Sequence, residues 1–275
     1  MAVLAFLCVW ALHNACAQLP SPPASGKNSV LAGYRLVRGP ITVAGVTEDL
    51  SGVTYDAASQ SLWMIVNGKP RIIETDLEGN VRRSIELTGF EDTEDLVSLG
   101  NQKVAIIEER QRTVSVCTLP PEVVTLAKPA DARQIEPEVT GNSGLEGIAY
   151  DAHGNRFFVV KEKKPRRIYE FSRAAPAGNA GAITHPWDAE VHGFALQDLS
   201  GLTWDAASGH LLLLSDESRC VVECTPEGQY VGRLPLTAGA AGLNADLIQP
   251  EGITHDAAGR LYIVCEPNLL YIFAK

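Results

Sequence analysis

The chain lacks the features that mark zinc-binding and nucleic-acid-binding proteins. Only six of its 275 residues are cysteines, and no two of them form a Cys-x-x-Cys pair. Without a Cys/His cluster, a structural zinc site is not expected. Basic residues are in the minority, since 33 acidic against 23 basic side chains give a formal net charge of −10. We therefore expect no nucleic-acid partner, because phosphate binding needs clustered Lys and Arg.

Long hydrophobic runs are also missing beyond the N-terminus. There, an apolar run from Ala2 to Leu12 precedes Ala15-Cys16-Ala17, a small-x-small cleavage pattern. The length suits the apolar region of a signal peptide, although no basic segment precedes it. We predict a signal peptide or an uncleaved N-terminal anchor at residues 1–17 and a Pro/Ser-rich linker at 18–32. The protein is then expected to be exported, periplasmic or associated with the cell envelope, with this segment contacting the membrane.

Sustained helical periodicity is absent as well, and a seven-residue motif recurs instead. Four copies read LSGVTYD, LEGIAYD, LSGLTWD and PEGITHD, and TEDLVSLG is a degenerate fifth copy. The second residue of the motif is, in chain order, Ser51, Glu94, Glu146, Ser200 and Glu251. These positions are 43 to 54 residues apart. A period of this size is typical of repeat architectures in which each unit is a small sheet.

The segments that follow each motif predict a four-stranded unit. A turn rich in Asp, Ala and Gly leads to an apolar run such as LLLLS, then to a third run and usually a fourth, such as VRRSIEL or EVHGFAL. Such runs read as strands. The last unit lacks its fourth strand, but Tyr34–Val43 precedes the first motif and could complete that sheet. We predict an all-β fold, a five-bladed β-propeller of four-stranded blades over residues 33–275. An open β-solenoid or two β domains are the alternatives.

Several recurring residues are expected to be structural. The glycine of the motif allows close approach of backbones near the axis. The four cysteines beyond the N-terminal segment are expected to be buried in strands. An aromatic position holds Tyr55, Tyr150, Trp204 and His255. The motif ends on a residue expected to cap a hairpin turn, which is Asp56, Asp151, Asp205 or Asp256.

The alternation of Ser and Glu at the second motif position predicts a functional site. This position precedes the innermost strand, and the next strand returns to the same end of the propeller. Acidic residues at both places should therefore meet at one mouth of the central channel. The carboxylates predicted to converge there are Glu94, Glu109, Glu146, Glu162, Glu217, Glu251 and Glu266.

Like charges at close range need a counter-charge. One source is neighbouring bases, namely Lys69, Arg110, Lys161, Lys163 and Arg219. The other is a bound cation, and oxygen ligands without His or Cys favour Ca²⁺ over a transition metal. We therefore predict Ca²⁺ as the cofactor and the seven glutamates as its candidate ligands. The alternative is an acidic rim whose charges are solvated or paired with bases.

Four segments together resemble the SdiA-regulated, YjiK-like family of bacterial proteins. They are EDLVSLG…VAIIEER, GLEGIAYD…FFVVKEKKP, LSGLTWD…LLLLSDESR and PEGITHDAAGRLYIVCEPN, so the resemblance covers Leu50 to Lys275. It implies a five-bladed propeller related to NHL repeats, an N-terminal signal or anchor segment and a calcium site in the propeller. The seven glutamates match the acidic positions of the family. The resemblance implies no particular reaction.

Three functions are consistent with these features. The first is an exported calcium-binding propeller, expected to be a monomer, that recognises an unknown small molecule or protein. The second is a calcium-dependent hydrolase of the lactonase or esterase type, in which Glu146 or Glu251 would activate water; a GxSxG nucleophile motif is missing. The third is a protein-interaction scaffold that uses the insertion from Ala174 to Asp188, which carries Trp187.

Overall fold

A computed structural model describes residues 28–136, 143–173 and 183–275. In these residues the chain is built of strands, and no helix is long and apolar enough to cross a bilayer. The predicted signal or anchor segment, residues 1–17, lies outside them. The strands in chain order are β1 Arg35–Thr42, β2 Leu50–Asp56, β3 Ser61–Val66, β4 Arg71–Thr75, β5 Val81–Thr88, β6 Thr93–Gly100, β7 Lys103–Glu108, β8 Thr113–Thr118, β9 Thr125–Ala127, β10 Arg133–Gln134, β11 Leu145–Asp151, β12 Arg156–Lys161, β13 Arg167–Ser172, β14 Ile183–Asp188, β15 Gly201–Asp205, β16 His210–Ser215, β17 Cys220–Cys224, β18 Tyr230–Pro235, β19 Pro250–His255, β20 Leu261–Cys265 and β21 Leu269–Ala274.

The strands form five sheets, which are the blades of a five-bladed propeller. Blade 1 holds β2–β5 with β9, blade 2 holds β6–β8 with β10, and blades 3 and 4 hold β11–β14 and β15–β18. Blade 5 holds β19–β21 and is completed by β1. Strand β1 pairs antiparallel with β21, so that Arg35 lies opposite Ala274 and Thr42 opposite Leu269. The predicted fold, including its closure by an N-terminal strand, is confirmed.

Two blades depart from the predicted four full strands. In blade 1, the short β9 adds a fifth strand parallel to β5, pairing Glu86 with Thr125. In blade 2, the outer strand β10 is only two residues long and pairs with the first part of β8. The rest of β8 therefore has no outer partner strand in the described structure, and Val116 is 40 % exposed.

Blade 3 takes its outer strand from a different segment than the sequence predicts. The prediction EVHGFAL (190–196) is wrong: that segment turns, whereas β14 (Ile183–Asp188) pairs with β13. Trp187 consequently lies in a strand and is buried, and its indole Nε1–H donates to the Pro226 carbonyl at 2.8 Å. The indole ring of Trp187 packs against Phe194. Burial of this large aromatic ring stabilises β14 as the outer strand, whereas an exposed position in a loop would leave the ring in water. Trp187, which the scaffold function would use as part of the insertion, is therefore not an exposed loop residue.

Five apolar clusters hold the ring together, each between two neighbouring blades. Trp63 of blade 1 packs with Ile106 of blade 2, for example, and Met64 of the same blade 1 strand packs with Val264 of blade 5. Strand β3 is therefore buried on both faces, which explains its continuous apolar sequence. Because a blade has no core of its own, its stability depends on its neighbours.

The recurring glycine marks a close approach of backbones at the axis. A Cβ on Gly252 would lie 2.8 Å from the Cα of Gly52, and one on Gly201 would lie 2.6 Å from the carbonyl oxygen of Glu251. Both distances are too short for any side chain. Blade 2 has Asp95 at this position instead of glycine.

The other recurring positions have the predicted structural roles. The carboxylate that ends the motif accepts hairpin N–H groups, as Asp56 does from Ser59 at 2.8 Å and Asp256 from Ala258 at 2.9 Å. His255 fills its aromatic position with Nε2 at 3.1 Å from the Trp204 carbonyl. The four described cysteines are free and buried.

A fully buried glutamate fastens the start of the described chain to blade 4. Glu223 in β17 accepts hydrogen bonds from the Ser29 hydroxyl at 2.6 Å and the Val30 N–H at 2.8 Å, and His210 Nδ1 lies at 2.6 Å from it. Residues 28–32, the last part of the predicted linker, therefore pack on the propeller, and Leu31 is in its core.

Replacing Glu223 by Ala should lower the free energy of unfolding by about 3 kcal/mol, because Ser29, Val30 and His210 would lose a buried charged acceptor. Urea unfolding measures the change. Glu227→Ala removes an exposed glutamate four residues further on and should change stability by less than about 0.5 kcal/mol. Equal losses in the two variants would show that Glu223 does not fasten the segment.

Candidate metal centre at the axial mouth

Three residues of each blade reach one end of the propeller. The first of the three lies two residues before the Ser/Glu position of the motif; in chain order it is Asp49, Asp92, Gly144, Asp198 and Gln249. The second is the motif position itself. The third follows the second strand of the blade and is Asn67, Glu109, Glu162, Asp216 or Glu266. In four blades the N–H of the third residue donates to the carbonyl of the first, as from Glu109 to Asp92 at 2.8 Å. This backbone bond brings the acidic side chains together.

The second and third of these residues in every blade, together with Asp198, line a cavity of about 280 Å³. We call this cavity the mouth; it is lined by Ser51, Asn67, Glu94, Glu109, Arg110, Glu146, Glu162, Lys163, Asp198, Ser200, Asp216, Glu217, Glu251 and Glu266. All seven glutamates predicted from the sequence therefore lie around one cavity. The mouth has nine carboxylates and two cationic side chains, and no His or Cys lines it.

The predicted Glu217 lies at the outer edge of the mouth. Asp216, not Glu217, follows β16 directly and occupies the position that Glu109 and Glu162 hold in their blades. Glu217 is exposed and pairs with Lys163 at 2.8 Å. Asp198 was not predicted; it is buried, lines the mouth and accepts the N–H of Glu217.

The neighbouring bases neutralise only the outer part of the mouth. Lys163 Nζ lies 2.7 Å from a Glu162 oxygen, and Arg110 Nε lies 3.2 Å from Asp92. Two other predicted partners bind elsewhere, since Lys161 pairs with Glu136 and Arg219 with Asp246. Lys69 lines a separate groove on blade 1. The inner glutamates Glu94, Glu146 and Glu251 form no ion pair with any described residue.

Burial and mutual repulsion raise the pKa values of the inner glutamates. Burial, then the charges of Glu109 and Asp92, raises the pKa of Glu94 from 4.5 to about 8. Burial, then Asp216 and Glu266, raises the pKa of Glu251 to about 8. The pKa of Glu146 is also raised well above its usual value, by burial first and by Glu94 next. Carboxylates in this state bind protons or a cation readily.

The tightest acidic group lies off the axis, on blade 2. One carboxylate oxygen of Asp92, one of Glu94 and one of Glu109 lie within 4.8 Å of one another. Asn67 Nδ2 donates to Glu94 at 2.7 Å and the Gly144 N–H donates to Glu109 at 3.0 Å, which fixes both side chains. Asp92 was missed because the sequence argument began at the second motif position. The signal was an Asp two residues earlier in three of the five copies.

Asp95 takes the place of the axial glycine in blade 2. Its carboxylate is 1 % exposed and accepts the N–H of Leu96 at 2.8 Å and that of Ile148, in blade 3, at 2.9 Å. It also takes a backbone hydrogen bond from Val53 of blade 1. Burial raises the pKa of Asp95 well above its usual value. Asp95 thus joins three blades directly beside Glu94.

Comparison with known proteins gives the family of the chain. A family model described as SdiA-regulated matches residues 27–274. The chain belongs to the SdiA-regulated family. The resemblance that the glutamate-containing segments indicated is therefore confirmed over nearly the whole chain.

Solved structures similar to this SdiA-regulated protein share its fold at low sequence identity. A glutaminyl cyclase from Myxococcus xanthus is 14 % identical, with a TM-score of 0.60 over 88 % of this chain and 95 % of that chain. A calcium-binding protein, regucalcin, from Agrobacterium tumefaciens is 13 % identical, with a TM-score of 0.54 over 86 % and 93 %. A chain of a nidogen–laminin complex is 14 % identical, with a TM-score of 0.53 over 79 % and 72 %. These likenesses show the fold alone.

The raised pKa values predict that the metal-free SdiA-regulated protein loses stability as the pH rises. Glutamates ionise near pH 4.5 when unperturbed, whereas Glu94 and Glu251 in the folded protein ionise near pH 8. The folded state holds more protons between these values, so the free energy of unfolding should fall as the pH rises from about 4.5 to about 8.

Urea unfolding in chelator at about pH 5.5 and about pH 7.5 measures this effect, since both values lie inside the window. A Glu94→Gln, Glu251→Gln double variant should lose part of the pH dependence, because Glu146 and Asp95, whose pKa values are also raised, remain. An unchanged dependence in that variant would assign it to other groups.

Proposed function

We propose that the protein binds Ca²⁺ in the mouth and uses the loaded mouth to recognise a small molecule or protein outside the cytoplasm. One observation carries the proposal: three inner glutamates, Glu94, Glu146 and Glu251, are close together, partly buried and without a basic partner among the described residues. Buried carboxylates in this arrangement are costly unless a proton or a cation neutralises them.

The donor atoms of the mouth fit a hard cation. Every candidate ligand is an oxygen, and Ca²⁺ takes six to eight oxygens whereas transition metals prefer sites with His or Cys. Asp92, Glu94 and Glu109 would hold one ion on blade 2, with Glu146 of the neighbouring blade 3 and Glu251 of blade 5 close to Glu94. Bound calcium would supply positive charge able to orient an anionic or carbonyl oxygen of a ligand.

The alternation of Ser and Glu has a structural counterpart that supports this assignment. In blades 1 and 4 the serine hydroxyl donates to a nearby backbone carbonyl, that of Asp49 at 3.3 Å and that of Pro250 at 2.7 Å. Those two blades therefore contribute no carboxylate at this position. Blades 2, 3 and 5 contribute one each, and these are the three inner glutamates.

The comparisons support calcium at the level of the fold. The regucalcin structure is described as that of a calcium-binding protein, and the same fold serves a glutaminyl cyclase and a chain in a nidogen–laminin complex. Fold alone therefore does not choose among a binding protein, an enzyme and a scaffold. The scaffold alternative has lost one support, since Trp187 is buried; most of the insertion that carries it, residues 174–182, lies outside the described residues.

The hydrolase alternative stays a prediction and has its own test. Glu146 would be the acid or base, because burial and its neighbours favour its protonated form. Purified protein with calcium would be assayed on lactones and aryl esters. Turnover that Glu146→Gln abolishes would establish an enzyme, and an absence of turnover across the panel would leave the binding function.

Calorimetric titration of Ca²⁺ and Mg²⁺ into metal-free protein tests the proposed function. We expect saturable heat with Ca²⁺ and weaker binding of Mg²⁺, which requires a smaller octahedral site. The heat should vary with the ionisation enthalpy of the buffer, because ligands that hold protons at neutral pH release them when a metal binds. Absence of heat up to about 10 mM Ca²⁺, well above the range of extracellular calcium modules, would overturn the proposal.

Export is tested separately by fusing residues 1–27 to a phosphatase that is active only outside the cytoplasm. Activity in intact cells supports export. If the fusion is inactive while it is present at normal levels, the mouth would work inside the cell, where free calcium is scarce.

A further inference from the structure

A second cavity, of about 260 Å³, lies between blades 2 and 3. The short outer strand of blade 2 creates it. Strand β10 covers only Thr113 and Val114 of β8, so the following part of β8 is left without an outer neighbour in the described structure. Phe157 and Phe171 of blade 3 form the opposite wall, and Lys103, Arg133 and Arg173 surround the opening with Asp131.

The charge of this cavity is opposite to that of the protein as a whole. Three bases and one acid line it, although the chain carries a formal net charge of −10. None of Lys103, Arg133 and Arg173 lies within ion-pair distance of a carboxylate among the described residues. In the same two blades, Arg112, Arg156 and Arg167 each have such a partner. Unpaired cations gathered around a recess are a common feature of anion sites.

Arg133 is the group that the folded chain leaves incompletely satisfied. Its residue is 8 % exposed, its guanidinium stacks 4.7 Å from the centre of the Phe171 ring, and Nη1 donates to the Ser172 carbonyl at 3.0 Å. Its Nε and Nη2 are buried and have no acceptor among the residues that the structure describes. A buried guanidinium with two unpaired donors is unfavourable, and an anion would relieve the cost. Burial without a compensating charge also lowers the pKa of Arg133.

We propose that the cavity between blades 2 and 3 binds a small organic anion through a carboxylate or phosphate group. Arg133 would fix the charged group from below, and Lys103 and Arg173 would contact it from the rim. Val116, which is exposed in the unpaired part of β8, would contact the apolar part of the ligand. This site is distinct from the mouth and does not depend on calcium.

Calorimetric titration of the full-length, metal-free protein with inorganic phosphate, phenyl phosphate and benzoate tests the proposal. Ionic strength is held constant with chloride. We expect saturable binding of at least one probe, and the preference between benzoate and phenyl phosphate identifies the charged group. Lys103→Gln and Arg173→Gln should each weaken that binding about tenfold, as expected for one charge-assisted hydrogen bond. Both positions are partly or fully exposed, so these variants should fold.

Asp131→Asn is the matched control, because it removes a negative charge instead of a positive one. It removes the one acidic side chain that lines the cavity and should tighten binding about threefold, as for an exposed charge near the ligand. Glu146→Gln in the mouth should leave the affinity unchanged. The proposal is overturned if no probe binds up to about 50 mM, which corresponds to less than 2 kcal/mol, or if Lys103→Gln and Arg173→Gln bind like the parent protein.

Discussion

Replacing Glu94 by Gln should weaken calcium binding about 100-fold or more. Glu94 belongs both to the compact group with Asp92 and Glu109 and to the inner group with Glu146 and Glu251. The substitution keeps the size of the side chain and removes one charged ligand. Loss of an outer partner of a metal ligand already costs ten- to 100-fold in affinity, so loss of the ligand itself should cost at least as much.

Competition with a calcium-sensitive dye measures the affinity of the parent protein and the variant under the same conditions. Glu217→Gln is the matched control, because Glu217 also lines the mouth but is exposed and pairs with Lys163. It should change the affinity less than about threefold. If Glu217→Gln is as damaging as Glu94→Gln, the ion is held at the rim and not by the inner glutamates.

Replacing Asp95 by Ala should lower the free energy of unfolding by about 3 kcal/mol. The buried N–H groups of Leu96 and Ile148 would lose their carboxyl acceptor, and each such loss costs about 1–3 kcal/mol. The substitution would also remove the link between blade 2 and its neighbours on both sides, at the point where the other blades pack backbone against backbone.

Urea unfolding in the presence of chelator measures this loss apart from metal binding. Asp95→Asn keeps one carbonyl acceptor and the volume of the side chain, so it should cost roughly half as much. Asp131→Ala, at an exposed aspartate, should change stability by less than about 0.5 kcal/mol. If Asp95→Ala is as stable as Asp131→Ala, the axis closes without the carboxylate, and Asp95 is a tolerated replacement of glycine.

The five-bladed fold could be predicted because the segments that build each blade recur in the sequence. Five motifs, each followed by a turn and apolar runs, fix the number of blades, and the unpaired strand Tyr34–Val43 fixes how the ring closes. The convergence of the glutamates followed from the reversal of direction between the first two strands of a blade. Both predictions require only the order of the strands, which the sequence pattern indicates.

The features that could not be predicted depend on where each strand ends and on contacts between residues that are far apart in the sequence. Asp216 and Glu217 are adjacent acids, and only the end of β16 shows which one faces the mouth. Asp92 enters the site through a backbone hydrogen bond across its blade. The departure from glycine at Asp95 is visible in the sequence, but two of its N–H donors, Ile148 and Val53, lie in other blades. Likewise, the two candidate outer strands of blade 3 both carry aromatic and β-branched residues, and packing of Trp187 decides between them.

A crystal structure of the protein with calcium, from diffraction data at a wavelength where calcium scatters anomalously, would locate the ion. Calcium binding in the mouth predicts an anomalous peak there, about 2.3–2.6 Å from carboxylate oxygens of Glu94 and of at least one of Asp92, Glu109, Glu146 and Glu251. A mouth without such a peak at millimolar calcium, with the inner carboxylates bound only to water and to each other, would contradict it.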